Sequence, residues 1–126
     1  MNVKRLQRLL TGIDRMNLEC DGFARVVAQR LLRCDSGRSK PVVYLGTVSD
    51  GENSISPHYW VEWEGYRIDF STAKIYFPES NLSPIFRTLE SVLSYEGSPV
   101  DWTENHILAS GRLLEEIQGF SASFIL

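Results

Sequence analysis

Three residues of this 126-residue chain have types that could carry covalent chemistry together: Cys20, His58 and Asp69. A thiol is a nucleophile as its thiolate, so it needs a group to take its proton, and an imidazole doing that job needs an acid or amide to fix its tautomer. Of the two cysteines, at positions 20 and 34, Cys20 falls at the expected start of a helix, where unpaired backbone N–H groups and the helix dipole favour an anion. Cys34 falls at the far end of that helix, where the dipole disfavours one, and reads as a small half-buried apolar residue. His106 has no partner nearby in sequence and reads as a solvated or packed side chain.

The stretch HYWVEWEGYRIDFS, residues 58–71, must position His58 and Asp69. With Glu64 and Gly65 as the two turn residues it is a hairpin, with Trp63 opposite Tyr66 and Glu62 opposite Arg67. Tyr59, Val61, Trp63, Tyr66, Ile68 and Phe70 then share one face that must be buried. The other face carries His58, Trp60, Glu62, Arg67, Asp69 and Ser71. Glu62 and Arg67 read as a structural cross-strand charge pair. His58 lies one diagonal step from Asp69, roughly 7 Å between backbones and within side-chain reach.

The elements around the hairpin follow from periodicity. Apolar residues at helical spacing predict an amphipathic helix over 3–16, with Gly12 as its weak point, and a second over about 20–33. Residues 34–41 read as a loop, Val42 to Leu45 as a buried strand and 49–57 as a polar loop. AKIYF, residues 73–77, has the composition of a further strand. Ser83-Pro84 is a good opening for a short helix running to Leu93, broken by glycine and proline near 97–99. A last helix is expected from Asp101 or Thr103 to Gly119, ahead of the apolar tail FSASFIL. This order is α+β, a single domain over residues 1–126, with a small antiparallel sheet packed against an N-terminal helix and C-terminal helices. One apolar hairpin face against helices makes the core, and the chemical face is pressed toward the start of the Cys20 helix.

Composition narrows the function class. The apolar fraction of 43% is ordinary for a soluble domain, and two cysteines are too few for a disulfide scaffold. The net charge of −3 divides into +5 over residues 1–40 and −8 over the rest. The basic first third reads as a solvated helix face rather than a nucleic-acid site. MNVKRLQRLLTGIDR has neither the apolar run of a secretory signal nor that of a membrane span, so a cytoplasmic location is expected, with export by a signal-less route left open. No glycine-rich phosphate loop and no paired metal-ligand spacing is present, so neither a cofactor nor a metal is expected.

Cys20-Asp21-Gly22-Phe23-Ala24 followed by HYWVEWEGYRID resembles the transglutaminase-like branch of the papain-like cysteine protease superfamily. That pattern is a helix-start Cys, then His-x-Trp-Val-Glu, then an Asp closing the next strand. His58, Trp60, Val61, Glu62, Gly65 and Asp69 match it, with eleven residues from His to Asp. The resemblance covers residues 20–71. Leu18 stands where the family commonly has Gly, and no clear upstream Gln or Trp is placed to complete an oxyanion hole, so Asn17 and the Cys20 N–H are the candidates. A cell-wall hydrolase family of similar fold also begins Cys-x-Gly-Phe and is the second choice.

The resemblance implies a papain-like fold and a Cys20-His58-Asp69 triad working by acyl transfer on an amide or peptide bond, as a thiol protease, amidase, deamidase or transglutaminase-like acyltransferase. Trp60 would wall a substrate groove or pack over the thiol helix. The expected partner is a peptide or protein substrate, and the expected assembly a monomer or weak homo-oligomer. The alternative is a non-catalytic module that keeps the fold and holds a partner protein, and Leu18 favours it.

Overall fold

The structure is a computed structural model and describes residues 1–34, 39–76 and 81–102, without the side chains of Cys34 and Ile75. The helix expected to end at Gly119, His106 and the tail FSASFIL lie outside the described residues. The described elements are α+β: α1 (Val3–Leu9), α2 (Cys20–Cys34) and five strands, β1 (Val42–Ser49), β2 (Ser54–Trp63), β3 (Tyr66–Ile68), β4 (Ile85–Arg87) and β5 (Ser94–Val100). The strands form one antiparallel sheet in the order β4-β3-β2-β1-β5. No described helix is long and apolar enough to cross a membrane.

The hairpin has the register its turn demands. Trp63 pairs with Tyr66, Glu62 with Arg67 and Val61 with Ile68. Both turn residues have positive φ, 53° at Glu64 and 82° at Gly65, the signature of the tight turn whose twist suits a hairpin. Val61, Trp63, Tyr66, Ile68 and Phe70 pack into one core with Leu6, Leu10 and Ile13 and with Phe23, Val27 and Leu31 of α2. The body of α2 therefore covers the apolar face, and only its first turn serves the chemical face.

Four expected elements differ. The helix over 3–16 stops after Leu9: Gly12 turns left-handed at φ 90°, and a separate 3-10 turn covers Ile13–Arg15. The loop expected over 49–57 shrinks, because β1 and β2 run on to pair Ser49 with Ser54, with a register shift between Gly46 and Val48. AKIYF is no strand. A π-helical turn spans Thr72–Tyr76, and the Asp69 carboxylate caps its start by accepting the Thr72 N–H at 3.1 Å. A local cap outweighs the β-propensity of Ile and Tyr there.

The helix expected after Ser83-Pro84 is instead the edge strand β4 and a 3-10 turn, Thr88–Glu90. Leu89 and Val92, read as its apolar face, are 98% and 82% exposed. The open edge of β3 supplies hydrogen-bond partners that override helical periodicity, with Ile68 paired to Ile85. Gly97 and Pro99, read as breakers, sit in the outer strand β5, where proline is tolerated. Gly97 faces Gly46. A Cβ on Gly97 would lie 2.6 Å from the Leu45 carbonyl oxygen and 2.8 Å from the Trp60 ring.

Candidate active site

His58 and Asp69 meet as the hairpin register implies. Nε2 of His58 lies 3.0 Å and 2.9 Å from the two carboxylate oxygens of Asp69, with His58 fully buried and Asp69 4% exposed. The Thr72 hydroxyl oxygen lies 2.9 Å from the same nitrogen, so one N–H is shared between a carboxylate and a hydroxyl. Asp69 is saturated with donors: the Ser71 hydroxyl at 3.3 Å, the Thr72 N–H and the Tyr95 hydroxyl at 2.8 Å all donate to it. Its own N–H donates to the Pro84 carbonyl at 2.8 Å, which fixes the backbone beneath the carboxylate.

Electrostatics follow from that wiring. Burial works to raise the Asp69 pKa, but the hydrogen bonds and charge of His58 and the bonds from Thr72 win, and the carboxyl stays below its ordinary value. For His58, burial lowers the proton affinity. The Asp69 hydrogen bond and charge, with those of Cys20, outweigh it and raise the pKa from 6.5 to about 9. At neutral pH the ring is an imidazolium.

Cys20 is the first residue of α2, half-buried, and close enough for its sulfur to act on His58. Nδ1 of His58 is buried and makes no aligned hydrogen bond. With Nε2 engaged by Asp69 and Thr72, Nδ1 is the ring nitrogen left for the thiol. Two contacts seat the approach to Cys20: the Lys74 ammonium donates to the Asp14 and Met16 carbonyls, each at 2.9 Å, tying the π-helical turn to the segment ahead of α2. Tyr76 lies edge-on to the imidazole, ring centres 5.9 Å apart.

Of the residues expected to shape a groove, Asn17 is exposed just ahead of α2, while Trp60 is buried at 2% exposure. Its indole stacks between Tyr44 and His58, with centroids 5.8 Å and 6.3 Å away, and meets Tyr95 edge-on at 5.0 Å. Its N–H donates to Glu62, which also pairs with Arg67 at 2.9 Å, and the Arg67 guanidinium lies over the Tyr95 ring. Glu62 and Arg67 thus brace the aromatic packing beside His58.

Sequence reasoning missed Tyr95, Thr72 and Lys74. Tyr95 comes from a strand read as the end of a helix, Lys74 from a turn read as a strand over 73–77, and Thr72 from the position just ahead of that expected strand. An Asp followed three residues later by Thr is a capping spacing, and it was the one local signal for Thr72. Among the described residues no group of three His, Cys, Asp or Glu side chains is placed to hold a metal ion. No family model, no curated protein and no solved structure matches the chain.

Proposed function

We propose that this protein is a cysteine-dependent acyl-transfer enzyme acting on an amide or peptide bond, with a papain-like, transglutaminase-like arrangement of Cys20, His58 and Asp69. The observation that carries the reading is the buried His58–Asp69 pair whose remaining ring nitrogen is left for a thiol at a helix start. A histidine serving only the core would have both ring nitrogens satisfied by fixed partners, because an unsatisfied buried donor costs about 1–3 kcal/mol. Here Nδ1 has only the Cys20 sulfur, whose interaction helps raise the His58 pKa.

In the first step the Cys20 sulfur attacks the carbonyl carbon, and backbone N–H groups at the start of α2, that of Cys20 first among them, stabilise the oxyanion. The proton on Nδ1 of His58 passes to the leaving amine as the C–N bond breaks, leaving a thioester on Cys20. Water, or an amine, then attacks the thioester carbonyl and gives its proton to Nδ1, which releases the acid or the new amide and regenerates the thiolate–imidazolium pair. Asp69 keeps Nε2 protonated throughout, so that Nδ1 is the nitrogen that cycles.

The test is capture of the thioester. Full-length protein is mixed with peptide pools, quenched in acid and weighed intact. An acyl adduct on Cys20 that is absent in Cys20→Ser and that hydroxylamine removes is the expected result. Adducts confined to Cys34, or none from any pool, contradict the proposal.

A further inference from the structure

The residues that hold His58 also wall a cavity that the proposed reaction does not use. It has a volume of about 240 Å³, and neither Cys20 nor His58 lines it. Its polar wall is Asp69, Thr72, Tyr95 and Ser83. Its apolar walls are Leu82, Phe86, Val92 and Leu93, with Ala73 from the π-helical turn. Glu90 stands exposed at the rim, and among the described residues no Lys or Arg lines the space.

Size and charge say what fits. A dry apolar cavity of about 150 Å³ takes a benzene ring, so this one has room for a fused aromatic ring. Leu82, Phe86 and Leu93 offer such a ring apolar contact. The Asp69 carboxylate already accepts from four partners and gives a guest no strong anchor. The His58 imidazolium 2.9 Å away balances Asp69, so the net charge at this cavity is that of Glu90 at its rim, which opposes an anion and favours a cation there. We infer that this cavity is a binding site for a small aromatic amine, its ring among Phe86, Leu82 and Leu93 and its ammonium at Glu90. A molecule so held sits directly behind the acid of the triad. The inference rests on the cavity and its charge and does not require Cys20 to be catalytic.

Three probes share one ring and differ in charge: tryptamine, indole and indole-3-acetate. Titrated into the full-length protein and followed by ligand-observed NMR, tryptamine is expected to saturate with a Kd on the order of 1 mM or tighter. Indole should bind more weakly and indole-3-acetate not at all. Glu90→Gln should weaken tryptamine roughly two- to fivefold and leave indole unchanged, as expected for one exposed charge pair. Leu82→Trp should abolish binding by filling the space. Val92→Trp, at a position 82% exposed and so easily tolerated, should do the same from the rim. Failure of tryptamine to saturate, binding of the acid as tight as of the amine, or binding that survives Val92→Trp would overturn the inference.

Discussion

Nε2 of His58 and the carboxylate of Asp69, eleven residues apart in sequence, meet at 2.9 Å in a place that water does not reach. Everything that distinguishes this His from an ordinary core histidine follows from that contact, and most of it can be tested one group at a time.

Asp69→Asn keeps the shape and removes the charge. Burial, which lowers the proton affinity of His58, then meets little opposition beyond Cys20. The His58 pKa should fall from about 9 to near or below its ordinary 6.5. Two-dimensional NMR titration of the imidazole in a His106→Gln background reads this directly, because the chain has two histidines. A His58 that still titrates near 9 contradicts the assigned cause.

Stability should depend on alkaline pH. A pKa raised in the folded state contributes stability that is fully present below the unfolded value, 6.5, and is lost as pH rises through about 9. The unfolding free energy from urea titrations should therefore fall between pH 7 and 10, by at most about 3 kcal/mol. Asp69→Asn should flatten that fall.

Tyr95→Phe removes one donor to a buried carboxylate while keeping the ring against Trp60. Hydrogen bonds to charged groups are worth about 1.5–3 kcal/mol, and a loss in that range is expected from urea unfolding. The acid limb of stability should move to higher pH, since Asp69 then holds its charge less strongly.

Gly97→Ala places a methyl 2.8 Å from the Trp60 ring and 2.6 Å from a backbone oxygen that cannot move cheaply. A loss of about 1–3 kcal/mol is expected from overpacking. The displaced ring is the one stacked on His58, so the His58 imidazole resonances should shift as well.

The hairpin was legible because its information is local: two turn residues fix the register, and register fixes which side chains share a face. That was enough to bring His58 to Asp69 before any tertiary contact was known. The start of α2 at Cys20 was legible from periodicity in the same way. What escaped was set by distant partners. Residues 85–87 became a strand because the edge of β3 was open, and 94–100 because β1 had a second edge. Tyr95 was lost with the second of these, Lys74 with the turn read as a strand over 73–77 and Thr72 just ahead of it. The burial of Trp60 depends on two glycines, Gly46 and Gly97, that let β1 and β5 approach.

The central claim is that His58 holds a proton for the Cys20 thiol, and alkylation measures it most directly. In a Cys34→Ser background, iodoacetamide should modify Cys20 at pH 6 about tenfold faster than in the same protein carrying His58→Ala, with matched circular dichroism spectra confirming that both are folded. Equal rates in the two proteins at pH 6 would contradict the account.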